Sequence, residues 1–146
     1  MSAWCEKNNL AGFANWMRIQ AQEEMSHAMK FYTHILERGG DVKLTAIDGP
    51  ETEWKDIEAV FAATLKHENY VTERINALVD LAIKEKDHAS NQYLQWFVNE
   101  QVEEEKNAEQ ILGQLKIMGK QPGAALYMLD KEMAARVYTP PAAPVD

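Results

Sequence analysis

QAQEEMSHAMKF, residues 20–31, places its apolar side chains at the three- and four-residue spacing of one helix face. Ala21, Ala28 and Phe31 share that face with Glu24, and His27 lies one turn further along. Burying an ionised carboxylate without a partner costs several kcal/mol. The stretch therefore predicts a core-facing helix that carries a binding site.

The same spacing continues through three long segments, which we predict to be helices over residues 10–38, 56–86 and 88–118. Each segment has a mainly apolar face, as in a left-handed helical bundle. Polar residues interrupt the three faces near their middles: Glu24 in the first, Glu68 in the second, and Gln101 with Glu104 in the third. An all-α fold follows.

Residue types at the helix ends support these bounds. Asp87 is a typical N-cap for the third helix, and Gly119 is typical of the position after a helix. Pro122 would open a shorter helix over residues 122–137, followed by an extended tail. Residues 1–146 are predicted to form a single domain, since this length suits one hydrophobic core.

The lengths of the connections predict that the interruptions converge. The second and third helices are joined by few residues and should be antiparallel neighbours. At ~1.5 Å per residue, Glu68 and Glu104 would both lie ~24 Å from their connection. Residues 39–55 form a link long enough to return along a helix, so a crossover can bring Glu24 to the same level.

Composition excludes several classes of function. A net charge of −8 without a basic stripe argues against nucleic-acid binding. No run approaches the length of a transmembrane helix, so no membrane association is expected. The beginning, MSAWCEKNN, is unlike a secretory signal, and the single Cys5 suits a reducing compartment. We expect a cytoplasmic protein.

Three carboxylates at one level would be protonated, paired with basic groups or bound to a cation. Because no Lys or Arg occupies these faces nearby, a metal ion is favoured. Glu24 and His27 are three residues apart, as are Gln101 and Glu104, so each pair can approach one ion. Oxygen ligands with one imidazole suit iron or manganese, and zinc can compete.

Other acidic and imidazole groups have two interpretations. A charge run such as VEEEK, residues 102–106, ordinarily lies on a solvated face. Its neighbourhood could instead hold an adjoining third metal position made by Glu23, Glu100 and Glu103. We expect the remaining histidines to be surface or packing residues: His34, His67 and His88.

Five stretches make the chain resemble the prokaryotic non-haem ferritins of the ferritin-like di-iron carboxylate superfamily: MSAWC, AQEEMSHAMKF, LKHENYVTERINALVDLA, YLQWFVNEQVEEEK and LGQLKIMGKQPGAALYMLDKE. Glu-x-x-His on facing helices recurs in such proteins. The resemblance implies a four-helix bundle with one long crossover and a short C-terminal helix. It also implies a homo-oligomeric cage of 24 subunits that stores ferric oxide.

The resemblance also implies roles for the site residues. Glu24 would bridge two irons, His27 would bind the first, and Glu68 and Glu104 would bind the second, with Gln101 nearby. Glu23, Glu100 and Glu103, together with Glu104, would match a third, inner iron position. The activity would be a ferroxidase that uses Fe²⁺ with O₂ or H₂O₂.

The resemblance is incomplete at the N-terminus. Residues 1–9 would be the end of the family's first helix and its turn, so most of that helix and its Glu ligand are missing. The chain could begin at an internal Met of a longer protein, or it could be a deliberate truncation. Alternatively, another segment or subunit could cover the apolar stripe that the missing helix would leave exposed. A non-catalytic cage or scaffold and a small di-iron oxidase or peroxidase of the rubrerythrin type are alternatives; Gln101 and Glu104 count against the latter.

Overall fold

The computed structural model describes residues 1–119 and 123–140, and the regular structure of these residues is entirely helical. This confirms the all-α prediction. The described helices group into two compact units, with α1, α2 and α5 in the first and α3 and α4 in the second. Their bounds are α1 Ser2–Lys7, α2 Ala11–Glu37, α3 Ile57–Lys84, α4 His88–Met118 and α5 Gly123–Met133.

The last helix differs most from its predicted range of 122–137. It ends at Met133, because the backbone continues in tighter turns, in which the N–H of Ala135 donates to the carbonyl of Glu132. The amide of Asn15 then donates to carbonyls at the end of this helix, those of Met133 and Ala134, both at 3.4 Å. Pro122, predicted to open the helix, and residues 141–146 of the predicted tail lie outside the described residues.

In the first unit, α5 caps the N-terminus of α2. The residue before α2, Leu10, offers no side-chain cap. The Phe13 N–H instead donates to the Asp130 carboxylate, at 3.0 Å, which satisfies one of the amides that a helix leaves open at its start. A Cβ atom at Gly12 would lie 1.6 Å from the Asp130 carbonyl oxygen. Only glycine therefore permits this approach of the two helices.

The short helix α1 lies where the end of the first helix is predicted, and it packs on α2. The Ser2 hydroxyl donates to the Ala14 carbonyl at 2.9 Å, and the Leu10 N–H donates to the Cys5 carbonyl, also at 2.9 Å. Trp4 and Cys5 are buried. Burial raises the pKa of the Cys5 thiol to about 11, so it remains protonated at neutral pH.

In the second unit, α3 and α4 are antiparallel neighbours joined by residues 85–87, as the short connection predicted. Asp56 caps α3 by accepting from the Ala59 N–H at 2.8 Å. Asp87 caps α4, as predicted, by accepting from the Ser90 N–H at 3.1 Å. The two helices bury apolar side chains that include Val60, Phe61, Ile75, Leu94, Phe97, Ile111 and Leu115.

The predicted core face of α2 is only partly buried. Ala14 and Met17 are buried as expected, whereas Ala21, Ala28 and Ile35 are exposed. Within the first unit, the contacts described from α1 and α5 reach only the beginning of α2, and Arg136, beyond the end of α5, extends them as far as Glu23. Among the described helices, none contains an 18-residue window apolar enough to cross a bilayer.

Candidate metal centre

Helix α2 carries the first group of predicted ligands. Glu24 and His27 approach each other as their spacing predicted, with His27 Nδ1 3.5 Å from Glu24 Oε2. Gln20 Nε2 donates to the other oxygen, Glu24 Oε1, at 3.2 Å. His27 and Gln20 are buried, but the Glu24 side chain is 47% exposed. The prediction that Glu24 faces the core is therefore wrong for this structure; the neighbours that approach its two oxygens, Gln20 and His27, lie on the same helix.

Glu23 has a partner from the end of the chain. The Arg136 guanidinium forms an ion pair with the Glu23 carboxylate and donates to Gln20 Oε1 at 3.1 Å. It also lies 4.5 Å from the centre of the Trp16 ring, within the range of a cation–π interaction. Sequence reasoning missed Arg136. Residues 113 positions apart have no local pattern to connect them.

The second unit carries the buried group of predicted ligands. Glu68 is 4% exposed, Gln101 6% and Glu104 5%. Gln101 Nε2 donates to the Glu68 carbonyl at 3.2 Å and lies 3.5 Å from Glu68 Oε2. The middle of α3 and the middle of α4 therefore meet where Gln101 contacts Glu68, one turn from the level predicted for Glu68 and Glu104.

Thr72 and Glu105 extend this network. The Thr72 hydroxyl donates to Glu105 Oε1 and accepts from Gln101 Nε2 at 3.3 Å. The Gln101 nitrogen thus serves both Glu68 and Thr72, while its oxygen, the atom able to bind a cation, takes part in none of these bonds. Neither Thr72 nor Glu105 was singled out from the sequence. Their one available signal was the four-residue spacing of Thr72 from Glu68 and of Glu105 from Gln101.

The residues of the predicted third metal position are distributed over both units. Glu23 belongs to the first unit, where Arg136 binds it. Glu100 and Glu103 are on α4 of the second unit, Glu100 partly buried and Glu103 exposed. Their joint binding of an ion stays a prediction. Of the other histidines, His67 and His88 are exposed and His34 is partly buried.

The chemistry of the buried group favours a cation. Two carboxyl groups taken almost wholly out of water carry a desolvation cost that a bound positive charge offsets. Carboxylate and amide oxygens are ligands suited to hard or borderline divalent ions. The structure thus defines an all-helical protein with acidic side chains placed inside it, which is the general character of the ferritin-like class.

Comparisons with known proteins agree. The ferritin family description, a ferritin-like domain, matches residues 1–118. A bacterial non-heme ferritin of Staphylococcus saprophyticus is 42% identical over 138 residues, covering 94% of this chain and 82% of its own. A probable bacterial non-heme ferritin-like protein of Haemophilus influenzae is 38% identical over 133 residues, covering 91% of this chain and 80% of its own.

Solved structures extend the likeness to the fold. The Archaeoglobus fulgidus ferritin engineered to a closed form superimposes with a TM-score of 0.93 at 47% identity, covering 95% of this chain and 84% of its own. The chain therefore belongs to the ferritin family. The resemblance seen in the five sequence stretches is confirmed, and so is the ferritin-like fold class.

Proposed function

We propose that this ferritin oxidises Fe(II) at a pair of iron positions and deposits the Fe(III) as mineral inside a cage of 24 copies. Iron storage and self-assembly follow from membership in the family. The oxidation step and the number of subunits are our inference. The observation that carries the proposal is the burial of Glu68, Gln101 and Glu104, of which Gln101 donates a hydrogen bond to the Glu68 carbonyl.

We assign the iron ligands as the sequence suggested. Glu24 and His27 would serve the first iron and Glu68 and Glu104 the second, with Glu24 shared and Gln101 beside the second. The proximity of Glu24 to His27 supports the first pair, and the buried position of Glu68 and Glu104 supports the second. A third iron position with Glu23, Glu100 and Glu103 belongs to the same proposal, on the condition that Arg136, which binds Glu23 in this structure, leaves that carboxylate.

The protein groups lower the cost of bringing two cations together. The carboxylates neutralise part of the charge of the two Fe(II) ions and also of the more highly charged Fe(III) ions. Coordination positions occupied by water leave room for an oxidant. Each Fe(II) loses one electron. Dioxygen takes up the two electrons with two protons to form hydrogen peroxide, or hydrogen peroxide takes them up with two protons to form two water molecules. Fe(III) then hydrolyses and leaves for the interior, which frees the ligands for another pair.

Iron is the ion to which the family points. We expect Zn²⁺ and Mn²⁺ to compete for the same oxygen and imidazole ligands as substitutes for the substrate. A location in the cytoplasm, where Fe(II) and free thiols persist, would suit both this chemistry and Cys5.

Anaerobic titration with Fe(II), followed by admission of air, tests the proposal. We expect tight binding of about two Fe(II) per subunit, as in two-metal sites, and oxidation faster than in buffer. Glu68→Ala should sharply reduce both the paired binding and the rate. The matched control is Glu73→Ala, which removes an exposed carboxylate from the same helix. Fewer than one tightly bound iron with no acceleration would exclude the ferroxidase.

The exposure of Glu24 favours one alternative, a cage that binds iron without oxidising it. A half-exposed carboxylate holds a cation less firmly than a buried one, because water competes for both. Mass measurement in solution separates the two functions when combined with the oxidation rate. A large assembly that shows no acceleration would favour the non-catalytic cage.

A further inference from the structure

Arg136 is held against α2 by contacts of its backbone and of its side chain. Its carbonyl accepts from Asn15 Nδ2 at 3.0 Å, which fixes the backbone beside the beginning of α2. Its guanidinium lies over the Trp16 ring, and Nη1 is 3.5 Å from the Trp16 carbonyl. The side chain therefore runs along α2 from residue 15 toward residue 23.

At the end of this path, two oxygens of the type that bind metals converge on the guanidinium. Nη1 donates to Gln20 Oε1 at 3.1 Å, and Nη2 donates to Glu23 Oε2. Gln20 and Glu23 are three residues apart and so share one face of the helix. The side chains of Arg136 and Glu23 are only 21% and 20% exposed. A planar fork bound to two oxygens in such a setting is a strong, oriented interaction.

The contact with Gln20 continues to a proposed iron ligand. Because the Gln20 oxygen accepts from Arg136, its nitrogen is turned toward Glu24 and donates to Oε1 at 3.2 Å. The second Glu24 oxygen lies 3.5 Å from His27 Nδ1. A hydrogen-bonded series thus runs from Arg136 through one amide to the carboxylate proposed to bridge the irons.

We propose that the Arg136 guanidinium occupies a cation position made by Gln20 Oε1 and Glu23 Oε2, and so keeps a metal ion from Glu23. The two cations exclude each other, since they need the same oxygens and carry the same sign of charge. Arg136 is thereby a positioning residue: it limits the iron-binding groups of α2 to Glu24 and His27 and orients Gln20 toward Glu24. The inference rests on the proposed function, because the excluded ion is Fe(II).

Anaerobic calorimetric titration of Fe(II) into the metal-free, assembled protein tests this proposal. Arg136→Gln keeps a polar side chain without the charge and should bind one more Fe(II) per subunit than the unchanged protein. Arg136→Lys restores the charge beside Glu23 and should return the number to that of the unchanged protein. The matched control is Arg18→Gln, which removes an exposed arginine of α2 that pairs with Glu6, and it should gain no Fe(II).

A second variant identifies the ligand. Glu23→Gln combined with Arg136→Gln should lose the additional Fe(II). Retention of that ion in the double variant would overturn the proposal, as would equal numbers of Fe(II) in Arg136→Gln and the unchanged protein. A gain shared by Arg136→Gln and Arg136→Lys would overturn it too, since charge would then play no part.

Hydrogen exchange of the metal-free protein distinguishes a positioning role of Arg136 from a purely structural one. Faster exchange of residues 134–140 in Arg136→Gln, without any gain of Fe(II), would show that the arginine only attaches this segment, and would overturn the proposal. Failure of the proposed ferroxidase is recognised separately. If the unchanged protein binds no Fe(II) tightly while Arg136→Gln gains one, the inference stands and the ferroxidase does not; if neither binds any, both fall.

Discussion

The acidic groups of α2 and those of α3 and α4 are held in opposite ways. On α2, Glu24 is half exposed and Glu23 is bound by the positive charge of Arg136. In the second unit, Glu68 and Gln101 are buried, and the donor that joins them is a neutral amide. A neutral amide orients a carboxylate without bringing a positive charge to it, whereas a guanidinium brings one. Because burial also carries a desolvation cost, we expect the buried group to respond most strongly to a metal ion.

The largest expected difference is in iron affinity. Glu68→Gln preserves shape but removes a buried negative charge, and we expect Fe(II) affinity to fall by at least about 100-fold, more than for a residue that only supports a ligand. Glu24→Gln should cost less, about tenfold, because water already screens this side chain. Anaerobic titration of both variants measures the ratio. An equal loss of Fe(II) affinity in the two variants would show that the acidic groups of α2 and the buried group do not differ in this respect.

The free energy of unfolding of the metal-free protein should change in the opposite direction to the Fe(II) affinity. Removing the buried charge in Glu68→Gln relieves desolvation, so the metal-free variant should be more stable by about 1–3 kcal/mol. Glu24→Gln should stay within about 0.5 kcal/mol, as is usual for surface changes. Calorimetric unfolding of metal-free protein, at one concentration, provides the measurement. A destabilised Glu68→Gln would mean that protein groups, rather than an ion, already compensate this carboxylate.

A smaller effect on Fe(II) affinity than that of Glu68→Gln concerns the support of Gln101. Thr72→Val removes the hydroxyl between Glu105 and Gln101 while keeping the side-chain shape, and should lower Fe(II) affinity about tenfold, as for residues that orient ligands. Thr64→Val is the control, because the Thr64 hydroxyl donates to the Val60 carbonyl of its own helix, at 3.1 Å. Similar affinities for the two variants would show that Thr72 does not orient the amide.

The sequence was informative wherever the decisive contact is local. Caps such as Asp87 and the three-residue spacing of Glu24 and His27 act within one or two turns of a helix, so their geometry follows from helical periodicity. The antiparallel pairing of α3 and α4 followed from a short connection, which predicted Glu68 and Glu104 at one level; the structure shows Gln101, one turn from Glu104, in contact with Glu68. These features of the fold and the candidate site were predictable because few arrangements satisfy them.

The sequence was uninformative where a distant segment supplies the partner. Periodicity assigned Glu24 to the core, but exposure depends on what covers a helix, which spacing does not specify. Arg136 reaches Glu23 only because α5 docks on α2, a tertiary contact. The early end of α5 has the same origin, since Asn15 of α2 binds its last carbonyls. Each miss comes from packing overriding a local preference.

Gly12 has a consequence beyond the fit of two helices. Asp130, whose carbonyl oxygen leaves no room for a Cβ atom at position 12, precedes Arg136 on the same short segment. Because Arg136 follows the end of α5 by only three residues, a displacement of α5 on α2 would also move the guanidinium away from Gln20 and Glu23. The absence of a side chain at position 12 thus helps to determine where a charged side chain 124 positions later along the chain is held.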